Sequence, residues 1–161
     1  MIKYAKKDNF YSIFPMGEIP NDWEELTKED YDKHFEKTLS ELKAEKLAKL
    51  TSITSKFDNQ LVNTDMTIKS SLGFKVNADL RSQLNIHRLI NAGIEPVSFI
   101  VADNTTVDLS LVQLNILISE CEENMQHLFD LKQLYKKQIA DATTKEELDA
   151  IKIEFKMMDF S

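Results

Sequence analysis

A single cysteine among 161 residues, Cys121, excludes any disulfide within the chain. That usage fits a reducing compartment. Glycine and proline number three each, so breakpoints are few. Gly17, Gly73 and Gly93 are too scattered to form a phosphate-cradling loop, and no Gly-x-Ser-x-Gly elbow exists. His34, His87 and His127 form no metal-spaced pair, so no metal or other cofactor is expected. No run is long and apolar enough to span a membrane. Met1 to Asp8 lack the apolar stretch of a secretion signal, and a soluble cytoplasmic protein is expected. The only two arginines are Arg81 and Arg88, and the net charge is −7 with pI near 5.0. That balance argues against a nucleic-acid groove, which needs concentrated Lys and Arg. It leaves open a basic partner or nucleic-acid mimicry.

What is present is ordinary for a folded protein: 42% hydrophobic and 29% charged residues. The first 26 residues hold Tyr4, Phe10, Tyr11, Ile13, Phe14 and Trp23, broken by Pro15, Gly17 and Pro20. Strands at Ile2–Ala5 and Phe10–Phe14 around Lys6-Lys7-Asp8-Asn9 read as a β-hairpin, followed by an irregular arm. A lone hairpin is marginal in water, so these aromatics pack on the rest of the chain or on a partner.

From Lys28 to about Leu61 no Gly or Pro occurs, and Thr27 precedes the run as a cap. Tyr31, Phe35, Leu39, Leu42, Leu50, Ile53 and Phe57 mark one stripe of a long helix. Asn59–Asp65 breaks it. Met66–Ser70 and Phe74–Val76 read as strands about Gly73, and Asn77 as the cap of a helix ending at Gly93. Val97–Ala102 and Thr106–Leu109 read as a second hairpin about Asp103-Asn104. Ser110 with Gln113 opens another long helix to about Ala142, whose heptad-like stripe includes Leu114, Ile118, Cys121, Leu128 and Ile139. Thr144 with Glu147 starts a short helix through Phe155. The expected fold class is mainly α (α+β): two long amphipathic, coiled-coil-like helices, a shorter helix and small β-hairpins. The expected division is a hairpin and arm, 1–26, and a helical domain with hairpin insertions, 27–161. Seams of this length continue between chains, so a homo-oligomer is expected.

No catalytic constellation emerges, and the chain reads as a non-enzyme. Carboxylates follow helix starts and solvated faces rather than pairing in a cleft. Arg81, Asn85 and Arg88 share one helix face. Two readings stay open: a docking face for a partner carboxylate, or an intramolecular pair with the acidic helices. Tyr11, Phe14 and Trp23 are the N-terminal candidates for partner binding.

The run Ser71-Leu72-Gly73-Phe74-Lys75-Val76-Asn77-Ala78-Asp79, then Arg81-Ser82 and Asn85-Ile86, resembles a domain-of-unknown-function family common in bacteriophage and prophage tail proteins. Ala102-Asp103-Asn104 and the run from Ile139 to Ile151 share that resemblance, in the same order. Phe10-Tyr11 and the run from Ile19 to Tyr31 are similar to the opening of tail-fibre assembly proteins. The resemblance implies a tail-associated protein that binds a tail-fibre or other tail protein without chemistry. It would work in the host bacterial cytoplasm during assembly, as an assembly factor or chaperone, with no nucleic-acid or membrane partner. The alternatives are a structural component of the virion tail and a small acidic inhibitor of a host protein.

Overall fold

A computed structural model describes residues 2–15, 18–58 and 66–161, among which are five helices and seven short strands, a mixed α+β architecture. Gly17, and the break over 59–65 with the helix end near Leu61, lie outside the described residues. The chain forms two compact units, residues 1–41 and 42–161. Their division falls later than the boundary read at residue 26, because the first helix packs with the N-terminal strands.

In the first unit β1 (Lys3–Lys7) and β2 (Phe10–Phe14) pair antiparallel, with Lys3 opposite Phe14 and Lys7 opposite Phe10. Asp8 makes the turn at φ 52, a left-handed conformation that Asp tolerates better than most residues. The segment read as an irregular arm contains a third strand, β3 (Glu24–Leu26), which pairs with β1 to give the order β2-β1-β3. Charge sets this pairing. Lys6 Nζ lies 3.0 Å from the opposing Glu24, Lys3 3.4 Å from Glu25 and Lys7 2.5 Å from Asp22. Cross-strand pairs of opposite sign favour this register over its neighbours. Glu24 raises the Lys6 pKa, chiefly through their hydrogen bond, and Lys7 lowers that of Asp22.

Helix α1 (Lys28–Phe35) starts at Thr27, whose hydroxyl accepts from Asp30 N–H at 3.0 Å. It covers one face of the sheet with an aromatic cluster. Tyr31 lies 5.0 Å from Tyr4 between ring centres, and His34 stacks on Tyr11. The single helix expected from Lys28 to Leu61 is two helices, α1 and α2 (Leu39–Asp58). Thr38 separates them. Its backbone N–H and hydroxyl donate to Glu41 Oε2 at 2.7 and 2.8 Å, and its hydroxyl accepts from Glu41 N–H at 3.3 Å. This reciprocal capping box starts a new helix in a run with no Gly or Pro.

The second unit is built on α4 (Leu111–Asp141), which begins at the expected Ser110–Gln113 capping box. Against its first half pack the hairpin β4 (Thr67–Lys69) and β5 (Lys75–Asn77), helix α3 (Leu80–Ala92), and the hairpin β6 (Val97–Ile100) and β7 (Thr106–Leu109). Ile68, Val76, Ile86, Phe99, Leu109, Leu114 and Cys121 belong to one core. The stripe of α4 is therefore used within the chain over this half. Asp79, not Asn77, caps α3: its carboxylate accepts from Ser82 N–H at 2.9 Å while Asn77 ends β5. Gly93 closes α3 at φ 64, as its left-handed cap requires.

Helix α2 is tied in through two lysines. Lys43 Nζ donates to Ala140 O at 2.6 Å, and Lys46 Nζ to Leu148 O. Helix α5 (Lys145–Ala150) stops before the expected Phe155. Residues 151–161 instead run extended back along α4 toward β4. Tyr135 Oη donates to Glu154 O at 2.9 Å and accepts from Glu154 N–H at 3.1 Å. Eleven residues earlier on α4, the fully buried Asn124 accepts from Met158 N–H at 2.9 Å. Phe160 N–H then donates to Lys69 O at 2.8 Å, beside a parallel bridge between Lys69 and Asp159. The helix rises about 16 Å between those two anchors. Four extended residues cover about 13 Å and the tyrosine side chain supplies the rest.

Asn124→Ala is expected to lower the stability of the chain by about 2 kcal/mol, because Met158 N–H loses its buried acceptor. Urea unfolding measures the loss, and faster amide exchange at Met158 locates it. Thr38→Ala is expected to cost about 1 kcal/mol.

Candidate functional site

The Ser71–Asp79 and Ala102-Asp103-Asn104 blocks meet in space. Just before the first, Ser70 closes the β4–β5 turn: its N–H donates to Phe74 O at 2.9 Å and its O accepts from Gly73 N–H at 3.0 Å. Gly73 sits at φ 92, where a side chain would be strained. The next residue over, Ser71, is held to α4. Its N–H and hydroxyl both donate to Oε1 of the buried Glu120, at 3.0 and 2.5 Å. In the second block Asn104 takes φ 66, and Asp103 accepts from Thr105 N–H and hydroxyl at 2.9 and 2.7 Å. The Thr105 hydroxyl, then its N–H, hold the Asp103 carboxyl below its ordinary pKa. Ala102 N–H donates to Lys75 O at 2.9 Å and joins the hairpins. Together they border a shallow depression of about 560 Å³, lined by Lys69, Gly73, Phe74, Lys75 and Asp103 among others.

Helix α3 presents Arg81, Asn85 and Arg88 on one exposed stripe, as their spacing predicts. Neither guanidinium has an ion pair or hydrogen bond among the described residues, so the intramolecular pairing left open above is not made there. The same stripe carries Leu84, 49% exposed between the two charges. Leu84 is not among the residues that the spacing of charged and polar side chains singles out. Asn85 also lines a small groove of about 200 Å³ with Asn77, Ser82, Ser98 and Ile100, the last of these exposed.

The N-terminal candidates lie in the other unit and divide between two sheet faces. Tyr11 faces α1, stacked on His34 at 3.4 Å and 12°. Phe14 and Trp23 pack edge to face at 5.6 Å. In β2 side chains alternate, so Phe14 shares its face with Phe10 and not with Tyr11.

The histidines serve separate contacts: His34 the stack above, and His87 a 3.4 Å approach to Glu122. Among the described residues no group of three His, Cys, Asp or Glu is placed to hold a metal ion, and no helix is long and apolar enough to cross a membrane. Cys121 is buried, and desolvation, then the charges of Glu120 and Asp79, push its thiol up to about 12.

That shift predicts chemistry and stability. The thiol is expected to resist Ellman reagent at pH 8 in the native protein and to react once urea unfolds it. The native state holds this proton more tightly. Its stabilising contribution is complete below the ordinary value of 9.0 and is lost as pH rises toward about 12. The stability gap between the natural protein and Cys121→Ala should narrow across that window in urea titrations.

Comparison with known proteins gives one family and no individual relatives: no curated protein and no solved structure matches the chain. The family model described as a domain of unknown function, DUF4376, matches residues 41–152, which takes in most of α2, the β4–β5 and β6–β7 hairpins, α3, α4 and α5. The chain belongs to the DUF4376 family.

Proposed function

We propose that the chain is a non-catalytic binding protein of a phage or prophage tail, an assembly factor or chaperone that engages a tail-fibre or other tail protein in the host bacterial cytoplasm. The tail connection rests on the resemblance of the Ser71–Asp79 block and of the N-terminal segment. The observation that carries a binding role is the α3 stripe. Two guanidiniums without partners among the described residues flank an exposed leucine, on a chain of net charge −7. Arginine is enriched at interfaces because its planar fork meets a carboxylate with two hydrogen bonds and its stem adds apolar contact. An acidic segment with one apolar side chain fits this stripe. Phe14 and Trp23 offer a second, aromatic contact. In this reading the two long helices are scaffold, and their exposed sides carry no chemistry.

The test is co-expression with a tail-fibre protein from the same prophage, followed by co-purification. The chain is expected to bring the fibre into the soluble fraction. Arg81→Glu with Arg88→Glu should weaken capture by roughly 100-fold, about 1.4 kcal/mol for each tenfold step. Thermal stability should change little, since both side chains are exposed. A fibre that is neither bound nor solubilised would remove the assembly reading. Recovery of the chain in purified virions by mass spectrometry would favour a structural component of the tail instead.

A further inference from the structure

The two edges of the N-terminal sheet differ in kind. One edge is β3, with Glu24 and Glu25 held by lysines of β1. Charged residues on an edge are a common guard against further strand pairing. The other edge is β2, Phe10-Tyr11-Ser12-Ile13-Phe14, which has no charge and no proline over its five residues. Phe10 is 71% exposed and Ile13 48%. An edge of this composition leaves backbone N–H and C=O groups and apolar side chains without sheet neighbours.

We propose, independently of the partner reading above, that a second copy of this chain occupies the edge. Two β2 strands pair antiparallel about Ser12, forming a continuous six-stranded sheet in the order β3-β1-β2-β2-β1-β3. Centring on Ser12 opposes each residue to one of the same strand parity. Outward-facing backbone groups therefore meet outward-facing groups, as an antiparallel ladder requires. The side chains match as well. Phe10 of one copy falls opposite Phe14 of the other, extending the row that Phe14 already forms with Trp23. Ile13 falls opposite the Tyr11 that stacks on His34. Aromatic–aromatic and aromatic–β-branched cross-strand pairs are among the favourable ones. The two most exposed side chains of β2 are both covered by this one register.

Charge favours self-pairing at β2 over self-pairing at β3. Two uncharged β2 strands meet without repulsion, although each chain carries −7. Two β3 strands would bring Glu24 and Glu25 of one copy against those of the other. The pairing is two-fold and self-complementary, so it consumes both bare edges and closes at two. The new sheet ends on its acidic strands.

The test uses the full chain. A five-residue edge is a small interface, so sedimentation equilibrium is expected to show mass rising from 18.6 kDa toward twice that value at roughly 10–100 µM. Ser12→Lys and Ser12→Asp each place like charges face to face across the two-fold and should each weaken the dimer roughly fivefold. An equimolar mixture of the two variants should restore it. Because a charged variant can perturb the sheet, Ser12→Cys provides a second measure. Its thiols should be joined by a short bifunctional linker into a covalent dimer, while the buried Cys121 stays unmodified. A chain that remains monomeric at about 300 µM, with Ser12→Cys not cross-linked, overturns the proposal. So does a dimer indifferent to both charged variants, which would use another surface. A monomeric chain whose Ser12→Lys variant loses fibre binding also overturns it, by giving the edge to a strand of another protein.

Discussion

One turn apart on the buried side of α4, Glu120 and Asn124 each hold a segment distant in sequence. Glu120 receives the Ser71 N–H and hydroxyl, which fixes the β4–β5 turn on the helix. Asn124 receives Met158 N–H and fixes the chain end alongside. Buried polar groups are costly unless partnered, and with partners they permit few alternative arrangements; Glu120 meets this through Oε1 alone, since its buried Oε2 has no hydrogen-bond partner among the described residues. The apolar core between these anchors would accept several packings of similar volume. The two hydrogen-bonded side chains select one, and through Phe160 and Lys69 they bring the chain end to the β4 strand. The α3 stripe is positioned by the same arrangement, since α3 packs on α4 just beyond the β4–β5 hairpin.

The first unit is held differently. Its sheet has few fully buried residues, Ala5 being the one apolar example. Cross-strand ion pairs and an aromatic cluster take the place of a core. Exposed ion pairs contribute little each. Their worth here is in specifying which short segments pair, while Tyr4, Tyr11, Tyr31 and His34 supply contact area against α1.

Elements ending in local punctuation were legible in the residues. Ser110 with Gln113, Gly93, the Asp103-Asn104 turn and strand β7 all stand where side-chain chemistry places them. Elements decided by contacts distant in sequence were not. The extended tail after Ala150 depends on Asn124 and Tyr135, which lie on another element and leave no local trace near Phe155. Strand β3 is acidic and short, and its pairing with β1, some twenty residues earlier, makes it a strand. The split between α1 and α2 is a different case. Thr38-x-x-Glu41 is a capping signature in plain view, and the absence of Gly and Pro masked it. For the candidate site, the spacing of Arg81, Asn85 and Arg88 was readable. That the arginines lack partners among the described residues, and that Leu84 lies between them, required the fold.

The route of the last eleven residues also bears on the order of folding. Met157 and Phe160 pack against the same core that Ile68 and Val76 begin, some ninety residues earlier. Contacts between such distant positions raise the entropy lost in loop closure before any stabilisation is gained. During synthesis the β4–β5 hairpin emerges long before residues 157–160, so its outer side stays open until they follow.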